Sequence, residues 1–254
     1  MIDRKFRVML ARFPYGGQER TELIDWTAQV AAWATTHPQI EKFILWHVDD
    51  TPVTMCRNRA VKEAIDGGVD ILIMVDSDMV PDIDPTHPFL PSAFKFLLSR
   101  WDSAPTMIAA PYCMQTGNPA FGRWRTDKDG YVVKADLFTR EEAAAAKGIG
   151  PAPLLATGLI MMDMRIFTGF TVGWQDIRLP PPWFDYEWTD EYRTHKGSTE
   201  DIFFSRNVSI LFAQAGVETN FVDWDAWAWH IKTKPIGKPV DLSVSELIKL
   251  MGGK

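Results

Sequence analysis

Short, uninterrupted apolar runs alternate along this chain with segments whose apolar residues recur every three or four positions. The runs are FRVMLARF (6–13), KFILWHV (42–48), DILIMV (70–75), TMIAAPY (106–112) and LLATGLIMMD (154–163). Runs this short, apolar on both parities, predict strands buried on both faces, as in a mainly parallel sheet. Between them, residues 19–36 place Leu23, Trp26, Val30 and Trp33 on one helical face. TMCRNRAVKEAID (54–66) predicts a second helix, stopped by Gly67-Gly68. PSAFKFLLSRWD (91–102) predicts a third. Residues 198–215 predict a fourth, with Phe204, Val208, Leu211, Phe212 and Ala215 together and Gly216 as its stop. The β-α-β-α-β order of the first 80 residues predicts an α/β, doubly wound, Rossmann-like half.

The second half is less periodic. RWRTDKDGYVVK (123–134) predicts a hairpin around Asp129-Gly130. IRLPPPWFDYEWTDEYRTHKGS (177–198) is rich in proline and aromatics and predicts a long loop, a kind of segment that often carries function. There is no internal repeat and no Gly/Ser linker, so the 254 residues are expected to form one domain. Net charge is −6, which is not a design for gripping a phosphate backbone without regard to sequence. Cys56 and Cys113 are too few for a disulfide framework, so a reducing cytoplasm is expected. The charged start MIDRKFRVMLARF lacks the apolar core of a signal peptide, and no run reaches the ~20 residues of a membrane helix. Eleven tryptophans exceed what a core of this size needs, and indole also stacks on sugars and bases.

The chemistry concentrates at ILIMVDSDMVPD (71–82), where an apolar strand runs into Asp76 and Asp78. Ligands of open α/β sheets bind beyond the carboxyl ends of strands. Two carboxylates at i and i+2 there can converge on one hard cation, Mg2+ or Mn2+, which in turn binds phosphates. Taken alone, the same Asp-Ser-Asp also reads as a polar turn before Pro81. A haloacid-dehalogenase phosphatase would place such a pair after its first strand and continue with Gly-Thr. Here the pair follows the third and continues Met79-Val80-Pro81.

The wider segment CRNRAVKEAIDGGVDILIMVDSDM (56–79) resembles the donor half of GT-A glycosyltransferases, especially family-2-like nucleotide-diphospho-sugar transferases. Four further stretches resemble that family in order. ARFPYGGQER (11–20) resembles its first strand and nucleotide loop, and TGLIMMDMRIF (157–167) its glycine-containing strand. STEDIFFSRNV (198–208) resembles its Glu-Asp helix start, and WAWHIKTKP (227–235) its late histidine. The likeness thus spans about residues 6–235. It implies a GT-A sandwich, mainly parallel, with helices on both faces and a small antiparallel element. It also implies a nucleotide-sugar half to about residue 110, an acceptor half to about 235, and a C-terminal tail.

The resemblance further implies roles. Asp76, Asp78 and His230 would ligate Mn2+ or Mg2+, against a reading of His230 as an imidazole packed among Trp227, Trp229 and Ile231. Asp201 would be the general base on an acceptor hydroxyl and Glu200 would orient that acceptor, giving inversion by direct displacement. Their alternative is structural, since acids in a first turn favour the helix dipole and Ser198-x-x-Asp201 has the form of a capping box. Pro14, Tyr15, Asp49, Arg57, Asp76, Gly158 and Lys234 would bind the nucleotide sugar, a UDP-sugar above others. Lys232 would join Lys234, and Arg57 would pair with the diphosphate. Trp183, Phe184 and Trp188 would stack on the acceptor or cap the core. The acceptor is a small molecule, a glycan or a modified nucleic acid. Two other classes remain in play: a sugar-phosphate nucleotidyltransferase, for which FPYGGQER lacks the usual Gly-rich run, and a non-catalytic nucleotide or carbohydrate binder.

Overall fold

The computed structural model describes residues 4–14, 19–48, 52–126, 128, 132–189, 191, 196–231 and 235–236. Tyr15, Asp49, Lys232, Lys234 and the Asp129-Gly130 turn lie outside the described residues. The first half runs β1 (Phe6–Phe13), α1 (Thr21–Thr36), β2 (Ile40–His47), α2 (Val53–Asp66), β3 (Ile71–Asp76), β4 (Met79–Val80), α3 (Phe89–Arg100) and β5 (Met107–Ala109). A hairpin follows, β6 (Gly122–Thr126) and β7 (Val132–Leu137), then α4 (Arg140–Ala145), β8 (Ile149–Pro151), β9 (Leu159–Asp163) and α5 (Arg165–Thr168). The chain continues through the short pairs β10 (Phe170–Val172) with β11 (Gln175–Ile177) and β12 (Glu187–Trp188) with β13 (Lys196–Ser198). It then forms α6 (Glu200–Ala213), β14 (Asn220–Asp223), β15 (Trp229–Ile231) and β16 (Pro235–Ile236).

Seven strands form the central sheet, in the order β2-β1-β3-β9-β5-β14-β8. β1 pairs in parallel with β2 and β3, and β5 with β14, while β9 runs against β3 and β5 and β8 runs against β14. Five strands therefore share one direction and two oppose it, which is the mainly parallel α/β fold expected. Helices cover it in two groups. α1 and α3 meet through Trp33 and Phe94, whose rings stand edge to face at 5.6 Å. α5 and α6 meet through Phe167 and Phe204, and α2 joins them through the Phe184 ring described below.

Four expectations change. β2 is an edge strand, with Leu45 49% exposed and charged Glu41 and Lys42 along it, so it is not buried on both faces. Its apolar run reflects one covered face and a β-rich composition, and the run alone does not distinguish centre from edge. The run 154–163 forms a strand only from Leu159, because residues 154–158 leave the sheet to line its carboxyl end. The segment 177–198 is not structureless: it holds the β12–β13 pair. The fourth helix starts at Glu200, and among the described residues no side chain caps it; the Ser198 hydroxyl donates instead to Glu187 Oε2 at 3.1 Å. The capping box therefore does not form. A box does form at α4, where Thr139 and Glu142 cap each other's backbone.

Candidate active site

Strand register explains which residues meet. Phe13 is the partner of Asp76 across β1–β3, so Pro14, buried at the end of β1, lies beside the end of β3. On the other side Val75 pairs with Leu159, and the Asp76 N–H donates to the Gly158 carbonyl at 2.9 Å. Gly158 is required there by space: a Cβ would meet the Tyr112 ring at 2.9 Å. Thr157, fully buried, is thereby delivered next to Asp76's neighbours, and its hydroxyl donates to Asp201 Oδ1. Asp201 comes from the first turn of α6, and its carboxylate is used across the site instead of on its own helix.

Arg57 is the hub. It projects from α2, is only 2% exposed, and divides its two terminal nitrogens among three acids. Nη2 donates to both oxygens of Asp76, at 3.0 and 2.9 Å. Nη1 donates to Glu200 Oε1 and Asp201 Oδ1, each at 2.8 Å. A planar fork suits this bidentate geometry as a lysine would not. Three carboxylates against one guanidinium leave two negative charges in excess when all are ionised. Burial is the largest effect on Asp76 and, with Asp201 and Asp78 nearby, outweighs Arg57 and raises its carboxyl to about 6. Burial followed by the Asp201 charge pushes Glu200 up as well. Arg57 itself is held well above its usual range by Asp76, Asp201 and Glu200, which outweigh its burial. Asp201 retains 23% side-chain exposure, so solvent reaches this otherwise enclosed group.

Asn58, next on α2, fixes the proline-rich segment. Its Oδ1 accepts the Trp183 and Phe184 N–H groups at 3.0 and 3.1 Å, and its Nδ2 donates to the Phe184 carbonyl at 2.7 Å. Phe184 is thereby buried, stacked on Phe204 at 4.3 Å with the Arg57 guanidinium 5.9 Å from its ring centre. It caps the core. Trp183 is half-buried against Phe167 and donates its indole N–H to the Leu179 carbonyl. Tyr186 of the same segment lies close enough to Glu200, Arg57 and Asp201 to feel their charges; its burial, then Glu200 and Asp201, raise its hydroxyl against the opposing pull of Arg57.

Asp78 is brought to His230 by the small β4–β15 pair, in which Met79 faces His230. The Ile231 N–H donates to the Asp78 carbonyl at 2.7 Å, and His230 Nε2 stands 3.4 Å from Asp78 Oδ2. The imidazole is wedged edge-on against Tyr112 at 5.1 Å, and its Nδ1 is buried with no hydrogen-bond partner among the described residues. Two donors held at about 2.1 Å on a common cation, at right angles, stand about 3 Å apart, close to the Asp78–His230 separation. These two residues therefore fit a divalent cation. Asp76 is turned onto Arg57, and among the described residues no three His, Cys, Asp or Glu gather as a metal cluster.

Of the expected site residues, the fold thus brings Asp76, Arg57, Glu200 and Asp201 into one hydrogen-bonded cluster, with Gly158 against Asp76 and Pro14 at the neighbouring strand end. Asp78 and His230 form a second pair beside it. Arg57's terminal nitrogens are occupied by carboxylates, which sets it apart from the diphosphate partner that the resemblance implied. Sequence reasoning missed Thr157, Tyr112 and Tyr186. The signal for Thr157 was a hydroxyl inside an apolar run; the two tyrosines had none.

No family model matches the chain, and no curated protein matches it. Solved structures do. A197 from STIV superposes with a TM-score of 0.53 over 93% of this chain and 96% of that one, at 14% identity. A protein from Desulfovibrio desulfuricans G20 described as a nucleotide-diphospho-sugar transferase gives 0.36, with 10% identity over 85% of this chain and 80% of that chain. An apo UDP-glucose pyrophosphorylase gives 0.38, with 11% identity over 88% and 76%. At 14% identity the likeness to A197 is one of fold alone. Among the described residues no helix is long and apolar enough to cross a membrane.

Proposed function

We propose that the protein transfers a sugar from a nucleoside-diphosphate sugar, a UDP-sugar first among candidates, to an acceptor hydroxyl with inversion. The observation that carries this reading is the convergence at the end of β3. Asp76, Glu200 and Asp201 surround one buried guanidinium, and the Asp78–His230 pair stands alongside. A site with excess negative charge favours a divalent cation carrying a diphosphate.

Asp78 and His230 would hold that cation, Mn2+ or Mg2+. When bound it supplies Lewis-acid stabilisation to the departing diphosphate. Asp201 accepts the acceptor's hydroxyl proton. Arg57 and Thr157 both donate to its Oδ1, so the carboxylate cannot rotate away from the reacting group. Glu200, bound to the same guanidinium, orients the acceptor. Pro14, at the end of β1, contributes to nucleotide binding together with Tyr15 and Asp49, which follow β1 and β2 in the sequence. Lys232 and Lys234, two residues beyond His230 and further, contribute to the diphosphate.

The test is a donor screen by thermal shift with and without Mn2+, followed by mass spectrometry of candidate acceptors. A UDP-sugar should raise the melting temperature only with Mn2+, and Asp78→Ala should abolish that shift. Asp201→Asn should keep the shift and lose transfer. If no nucleoside-diphosphate sugar gives a metal-dependent shift, the reading fails. If pyrophosphate is released from a nucleoside triphosphate and a sugar phosphate, nucleotidyl transfer replaces it.

A further inference from the structure

β14 ends as β3 does. Asp223 closes β14 and Asp225 follows two residues later, so Asp223-Trp224-Asp225 leaves its strand as Asp76-Ser77-Asp78 leaves β3. Both strands point the same way, since β9 opposes both β3 and β5, and β5 is parallel to β14. Three strand spacings separate them, about 14 Å. No single ion spans that distance.

Asp223 is 2% exposed. Its Oδ1 accepts the Asp225 N–H at 3.3 Å, and the Ser92 hydroxyl lies close enough to pull the carboxyl down against its burial, while Oδ2 is buried with no hydrogen-bond partner among the described residues. Asp225 Oδ2 accepts the Gly148 N–H at 2.9 Å. Both acids line a cavity of about 340 Å3, together with Thr86, His87 and Ser92. A buried carboxylate oxygen without a donor is costly, and a ligand that satisfies it removes that cost.

The size and chemistry of the cavity narrow the ligand. At about 30 Å3 per water, six waters around an ion need about 180 Å3, which this space contains. Mg2+-like ions keep several waters and need only one or two carboxylates. Two acids with neighbouring hydroxyls match that requirement, whereas a dehydrated ion needs a cage of three or more protein ligands, which the described residues do not assemble. We infer that the Asp223–Asp225 cavity binds a partly hydrated hard divalent cation, separate from the Asp78–His230 pair. This inference stands independently of the transferase reading.

The experiment is a titration of the metal-stripped full chain with MnCl2, read by electron paramagnetic resonance and calorimetry. Two Mn2+ per chain are expected, with one lost in Asp223→Asn and the other lost in Asp78→Ala. Asp225→Asn, which keeps an oxygen for the Gly148 N–H, should weaken the same site as Asp223→Asn by at least tenfold. It decides the matter alone if Asp223→Asn does not fold. Wild-type stoichiometry and affinity in the folded Asp223 and Asp225 variants would overturn the inference. Loss of a site in these variants but not in Asp78→Ala would support it, and would instead remove the metal from the donor site.

Discussion

Replacing Arg57 with methionine keeps the volume and removes the only cation that the described structure places among Asp76, Glu200 and Asp201. Four guanidinium–carboxylate hydrogen bonds of 2.8–3.0 Å disappear. At about 1.5–3 kcal/mol each, their gross loss is about 6–12 kcal/mol. Much of that is returned, because the guanidinium no longer has to be desolvated. What remains is the penalty for stranding carboxylates in a buried site, about 3–5 kcal/mol. For a chain of this size that corresponds to a fall in melting temperature of about 6–20 °C. The measurement is urea unfolding followed by tryptophan fluorescence, with chelator present, at pH 7.5 and pH 5.5. The loss should shrink at the lower pH, because burial already raises Asp76 and Glu200 and removing Arg57 raises them further, so protonation relieves the repulsion. Arg57→Lys should recover part of the loss, since an ammonium restores charge without the fork. A loss below about 1 kcal/mol, or an equal loss at both pH values, would refute the reasoning.

Three further outcomes follow from single contacts. Asp76 has a folded-state carboxyl raised to about 6 from an ordinary 3.8, so the native state binds this proton more tightly than the unfolded chain. Its contribution is full below about pH 4 and lost as pH rises through about 6; the metal-free urea midpoint should fall across that window, and fall less in Asp76→Asn. Gly158→Ala should cost about 1–3 kcal/mol by overpacking, because its Cβ meets the buried Tyr112 ring at 2.9 Å; an unchanged thermal midpoint would contradict the close approach. Asp82→Ala removes the acceptors for the Trp26 indole N–H at 2.7 Å and the Phe89 N–H at 2.7 Å. With one or two buried donors stranded it should destabilise by about 2–4 kcal/mol in chemical denaturation.

Much of this architecture is readable in the sequence for local reasons. Ile71–Val75 is apolar on both parities and had to be a central strand, and Gly67-Gly68 had to end α2, with Gly68 taking the left-handed φ of +59°. The candidacy of Asp76, Asp78, Glu200, Asp201 and His230 followed from charge placed at element ends and from motif order. Partnership did not follow from either. Arg57 and Glu200 are 143 positions apart, and the hydrogen bond between them exists only because α2 and the start of α6 approach the same strand end. The same holds for Thr157, a hydroxyl inside an apolar run, which only the folded chain brings to Asp201. Local pattern sets strands, helices and their stops, because these depend on neighbours three or four residues away. Which acid meets which base depends on sheet order and register, which only the folded chain decides.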